Sequence, residues 1–212
     1  RGREPENEVK AVAVGKVNDR EVVVGGGLTI YVWNHRGELI WKASDPSQPI
    51  NDIAIGKLGG IDVIAACSAD RNVYVWDGYG KLLWAVTDPE GDINGIDIGE
   101  IAGYQVIVAG SSDYKVYMWD AYGRLLWTSD DPIREVFDVA LGKLGGKEVV
   151  VAGSADGRVY VWDQSGEIMW IGKEPDSPVR GVAVGRIKGQ DIVLAESNSG
   201  EVYVWDQDGN IL

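Results

Sequence analysis

Val73-Tyr74-Val75-Trp76-Asp77-Gly78-Tyr79-Gly80-Lys81-Leu82-Leu83-Trp84 is an apolar run, a turn, and a second apolar run closed by tryptophan. Its first Trp returns at Trp33, Trp76, Trp119, Trp162 and Trp205, and its second at Trp41, Trp84, Trp127 and Trp170, always in steps of 43 residues. The two series use all nine Trp of the chain. A fixed period of this length, with strand-like content in each unit, marks a propeller or solenoid array.

Working outward, five units superpose, beginning near residues 9, 50, 93, 136 and 179. Each holds four short β-branched runs, here named A to D; in the fourth unit they are Val136–Leu141, Glu148–Gly153, Arg158–Asp163 and Glu167–Ile171. Gly or Asp turns bound them, as strands require. Gly60, Gly103, Gly146 and Gly189 stand between A and B, where a tight hairpin needs positive φ. Between C and D the pattern is Asp-x-x-Gly: Asp77 with Gly80, Asp120 with Gly123, Asp163 with Gly166, Asp206 with Gly209. Asn34 with Gly37 replaces it in the first unit. The Asp carboxylate accepts a nearby backbone N–H and the Gly ends the turn. A Ser-x-Asp turn joins B to C at Ser68/Asp70, Ser111/Asp113 and Ser154/Asp156, whereas the first unit is shorter and reads Gly25-Gly26-Gly27-Leu28. After D comes an acid-Pro pair, where proline marks the exit from the sheet.

The ends carry a further expectation. Residues 1–8 align with the tail of a strand D and the loop after it, and the chain stops at Leu212, one position before the next Trp would fall. This predicts one all-β domain over residues 1–212: a closed five-bladed β-propeller with four antiparallel strands per blade, residues 1–8 completing the blade of 179–212. Opening on Arg1 without a Met, the sequence reads as a trimmed product.

Net charge is −13, which disfavours nucleic acid and anionic membrane and favours basic partners or cations. A single cysteine, Cys67, excludes an intrachain disulfide, and no apolar run is long enough for a spanning helix.

The phrase Gly153-Ser154-Ala155-Asp156-Gly157-Arg158-Val159-Tyr160-Val161-Trp162-Asp163, with Gly166 and Trp170, resembles two propeller families. The WD-repeat family shares the Ser-x-Asp-Gly turn and the Trp-Asp that closes strand C. The pyrroloquinoline-quinone-type (PQQ-like) repeat shares Val-Tyr before an Asp-x-x-Gly turn and a Trp ending strand D. The resemblance covers essentially the whole chain and implies a propeller in which Trp41, Trp84, Trp127 and Trp170 dock neighbouring blades. It implies no cofactor here.

Candidate sites fall into two sets. Glu4, Asp45, Asp88, Asp131 and Glu174, the acids of the acid-Pro pairs, would circle one opening; they read either as a cation or basic-peptide site or as ordinary turn formers. The second residue of strand A changes sharply from unit to unit: Lys10, Asn51, Asn94, Phe137, Arg180. Positions that are alike in every unit are explained by the scaffold, so a specific ligand is read by positions that differ. Ile133, Arg134 and Glu135 vary in the same way in a D–A loop. The Trp series reads as packing between blades rather than as sugar platforms. No catalytic set, metal spacing or phosphate loop is present.

The expected function is a non-enzymatic binding scaffold for a protein or peptide, basic ones included, on the face bearing the D–A and B–C loops. It uses no cofactor or metal and binds no nucleic acid or membrane. A monomer is favoured over a strand-exchanged oligomer. The alternatives are a lectin-like propeller with repeated sites and an engineered or recently amplified repeat without a selected ligand.

Overall fold

The structure is a computed structural model that describes residues 8–212. Among them are 19 strands and no helix, arranged as five antiparallel sheets in a propeller-like repeat. The first sheet is β1 (Ala11–Val17), β2 (Arg20–Gly26), β3 (Ile30–Asn34) and β4 (Leu39–Ala43). The second is β5 (Ile50–Leu58), β6 (Ile61–Ser68), β7 (Val73–Asp77) and β8 (Leu82–Val86), and the third β9 (Ile93–Ile101), β10 (Tyr104–Ser111), β11 (Val116–Asp120) and β12 (Leu125–Ser129). The fourth is β13 (Val136–Leu144), β14 (Lys147–Ser154), β15 (Val159–Asp163) and β16 (Ile168–Gly172), and the fifth β17 (Val179–Ile187), β18 (Gln190–Ser197) and β19 (Val202–Asp206). Each sheet is a meander in chain order, so every connection within it is a local hairpin.

Turn chemistry behaves as the sequence predicts. Gly60, Gly103, Gly146 and Gly189 have φ of 82°, 78°, 80° and 86°, and Gly80, Gly123, Gly166 and Gly209 lie between 78° and 85°. At each C–D turn one side-chain oxygen, of Asn34 in the first and of Asp in the other four, gathers two backbone N–H groups; Asp77, for example, accepts from Tyr79 and Lys81. Strand A runs three residues further than the sequence suggests in the fourth unit, through Gly142-Lys143-Leu144, because Leu144 is drawn into the core at 1% exposure.

The core is not inside any one sheet but between sheets. Successive A strands lie side by side, β1 against β5, β5 against β9, β9 against β13 and β13 against β17. Strand A carries a glycine where the next strand A inserts a branched side chain: a Cβ on Gly15 would lie 3.1 Å from Ile55, and one on Gly99 would lie 2.8 Å from Leu141. Close packing of this kind fixes the spacing between sheets.

The tryptophans divide the labour differently from the sequence expectation. The strand-C indoles Trp76, Trp119, Trp162 and Trp205 are fully buried. The strand-D series Trp41, Trp84 and Trp127 is only half-buried, each ring lying against the C–D turn glycine of the following sheet, Gly80, Gly123 and Gly166. Both series therefore pack between sheets, and the deeper one is on strand C.

Closure of the circle is not displayed by the described residues. The fifth sheet has three strands, with only a bridge from Ile211 to Trp205 in the place of a fourth. The segment expected to complete it, residues 1–7, lies outside the described residues. On the first sheet Val12 and Val14 are 73% and 78% exposed, while Ile53, the counterpart of Val12, is 6% exposed. Among the described residues, nothing packs on the inter-sheet faces of the two outermost sheets as the internal sheets pack on one another.

Candidate functional site

The D–A and B–C loops do share one face. Asp70 of a B–C turn accepts the Ser47 N–H from the preceding D–A loop at 2.7 Å, Asp113 accepts that of Glu90 at 2.8 Å, and Asp156 accepts that of Ile133 at 3.3 Å. The same carboxylates accept the phenol O–H of Tyr74, Tyr117 and Tyr160. Burial and the Asp156 carboxylate together push Tyr160 up to about 12, so the phenol remains a donor at all ordinary pH.

The acid-Pro set serves the scaffold. Asp45 accepts the indole N–H of Trp76, Asp88 that of Trp119, Asp131 that of Trp162 and Glu174 that of Trp205, at 2.8–2.9 Å. Each acid belongs to the loop leaving one sheet, and each indole to the next. The adjoining Pro46, Pro89, Pro132 and Pro175 are buried. A buried indole N–H without an acceptor would cost about 1–3 kcal/mol, which explains why the acid recurs. Glu4, the first of the set, lies outside the described residues.

The second residue of strand A is placed by a backbone device that the sequence does not reveal. Register shifts between Ile50 and Asp52, between Val136 and Asp138, and between Val179 and Gly181 leave Asn51, Phe137 and Arg180 unpaired as bulge residues. Asn94 is skipped in the same way between Ile93 and Gly95. A bulge turns its side chain out of the pleat. Asn51 and Asn94 use this to donate to the backbone carbonyls of Ile93 and Val136 in the next sheet, at 2.8 and 2.9 Å. Phe137 has no such group; the Arg180 guanidinium stacks over its ring at 3.8 Å from the centroid. Lys10 and Arg180 are exposed. The structure therefore separates the five: Asn51 and Asn94 bind neighbouring sheets together, Phe137 and Arg180 stack as an apolar and cationic pair at the starts of β13 and β17, and Lys10 is exposed. Ile133, 60% exposed, precedes the same strand.

Three residues missed by the sequence reading line the inner strands. Asp52, Asp97 and Asp138 each accept the N–H of the following residue and reach across to the next strand A, at Ile96, Leu141 and Val182. The available signal was an acid inside an otherwise apolar run. Burial raises all three above the usual carboxylate range, and it takes Asp138 to about 6, with the charges of Asp52 and Asp97 adding to the effect. Since the folded value exceeds the unfolded one, near 3.9, stability from protonated Asp138 is whole below about pH 4 and is lost as pH rises through about 6. The shift corresponds to at most roughly 3 kcal/mol. Urea titrations at pH 5 and pH 7.5 should show the native chain weaker at the higher pH; Asp138→Asn should flatten that difference, and an unchanged pH dependence would refute the assignment.

Among the described residues no cluster of three or more His, Cys, Asp or Glu is arranged to hold a metal. Cys67 is buried, and burial pushes its thiol well up, away from nucleophilic character.

The WD domain, G-beta repeat family matches residues 37–77 and 133–163, segments that run from a C–D turn or a D–A loop to the Trp-Asp ending strand C. The match covers about a third of the chain, and over those two segments the recurring sheets are similar to WD repeats. No curated protein is similar enough to the chain to match it.

Proposed function

We propose that this chain is a single propeller domain that acts as a non-enzymatic scaffold and binds one protein or peptide segment on the face of the D–A and B–C loops. WD repeats generally serve protein–protein interaction. The observation that carries the reading is the Phe137–Arg180 pair. Positions that recur, such as the acid-Pro acids and the Ser-x-Asp turns, are engaged in holding sheets together. This pair breaks the repeat at a bulge on the loop face, and exposed Ile133 stands in the loop that leads into the same strand. An aromatic ring beside a guanidinium is the kind of anchor that dominates interfaces. The net charge of −13 favours basic segments around that anchor.

A phage-displayed peptide selection followed by calorimetry tests this. Selected peptides should bind at one per chain, and Phe137→Ala should weaken them about tenfold or more. Binders indifferent to Phe137→Ala and Arg180→Ala would overturn the reading.

One observation favours a second, lectin-like reading. Half-buried Trp84 lines a groove between sheets with Ile61, Leu83 and Tyr122, and Tyr122 is 72% exposed. Trp41 docks on the turn of the similarly exposed Tyr79. Sugar bound there would show two or more sites per chain on a glycan array and in calorimetry, lost on Tyr122→Ala but not on Phe137→Ala.

A further inference from the structure

The first and last sheets expose opposite halves of a junction that the chain builds four times internally. At each internal junction a strand-A glycine receives a branched residue from the next strand A: Gly15 takes Ile55, Gly56 takes Ile98, Gly99 takes Leu141 and Gly142 takes Val184. Gly185, the fifth glycine, has nothing within 4 Å of a Cβ built on it. The branched residue left over is Val14, 78% exposed on β1. Around Gly185 the apolar lining is already in place. Ile187 is 57% exposed where Leu144 is 1%, and Val202 is 67% exposed where Val73, Val116 and Val159 are fully buried. Val12 is 73% exposed where Val139 is 4%.

The polar part of the junction is also present in two halves. At three of the four internal junctions a strand-A carboxylate accepts an N–H of the next strand A, as Asp138 does from Val182 at 2.8 Å. In the fifth sheet Gly181 stands where Asp138 stands in the fourth. Its pairing partner, in place of Gly153, is Glu196, whose Cγ lies 3.1 Å from a Cβ built on Gly181. The carboxylate has crossed to the neighbouring strand and still sits on the open face. On β1 the place of Val182 is held by Val12.

We propose that a second copy of this chain occupies the open face, its β1 packing on β17, β18 and β19 as β5 packs on the first sheet, with Val14 seated over Gly185 and Glu196 accepting the Val12 N–H. The second copy is the occupant that the internal junctions already specify, four of them in shape and three of them also in polarity. The contact is heterologous, so it closes into a ring of copies or extends as a chain of them. It is independent of any ligand at the loop face.

Light scattering after size exclusion tests this on the full chain. The native protein should at least double its single-chain mass as concentration rises. Gly185→Leu introduces a side chain into open space in one copy but into the seat of Val14 in the pair, so it should fold and remain single. Val14→Glu should do the same from the other side. Mixing the two variants leaves one working junction, and should give a one-to-one pair that grows no further. A native chain that is single at every concentration, as a ring closed upon itself would be, overturns the proposal. So does a Gly185→Leu chain that keeps the native mass, or a mixture that stays single.

Discussion

Replacing Trp119 with Ala is expected to remove about 3–5 kcal/mol of stability, measured as a fall in the urea midpoint. Trp119 lies in the third of five sheets, flanked on both sides, and is fully buried. Its ring stacks on Tyr117 at 5.5 Å, and its N–H is held by Asp88 at 2.9 Å. The substitution therefore opens a cavity at an inter-sheet junction and strands a carboxylate. Trp84→Ala should cost less, roughly 1.5–3 kcal/mol, because that ring is half-buried and touches the next sheet chiefly at Gly123 and the Ala121 carbonyl. Equal losses at the two positions would show that depth of burial does not order the two series.

Gly56→Val is the second large effect, with a loss of about 1–3 kcal/mol or more. A Cβ at this position lies 2.6 Å from Ile98 Cγ2 and 2.9 Å from its Cβ. Ile98 is β-branched and lies inside strand β9, so it has little rotamer freedom with which to yield. Either the second and third sheets separate or both strands bend. Gly60→Ala, whose Cβ meets nothing but whose φ is 82°, isolates the backbone cost of a positive φ and should lose only about 1 kcal/mol. A Gly56→Val chain as stable as the native one would mean that the spacing between A strands is not set by this contact.

Both effects arise between repeats, and this separates what is legible in the sequence from what is not. The alternation in Val73-Tyr74-Val75-Trp76 and the Asp-x-x-Gly turns are local, with a strand period of two and a positive-φ demand that any reader of the chain can see. From them follow the strands, the hairpins and the repeated sheet. The face shared by the D–A and B–C loops follows as well, because a meander of four strands leaves no other place for them.

The candidate site was only half legible. That Lys10, Asn51, Asn94, Phe137 and Arg180 differ is visible in the sequence. That a bulge turns four of them, all but Lys10, out of the pleat, and that Asn51 and Asn94 then bond the next sheet, is not, because register is settled by the pairing of two strands rather than by one. The bonds of the acid-Pro carboxylates are likewise invisible in the sequence: Asp88 meets its indole donor only when Trp119, 31 residues later, is brought beside it.

By itself the sequence determined the all-β repeat, its period and its turns, since each depends on the φ preference or polarity of residues close together in the chain. Only the tertiary structure decided which Trp lies deepest, which carboxylates are occupied, why Asp138 titrates near 6, and that Val14 and Gly185 face solvent. Those properties belong to the space between sheets, and burial and dielectric there are set by neighbours about 43 residues away in the chain.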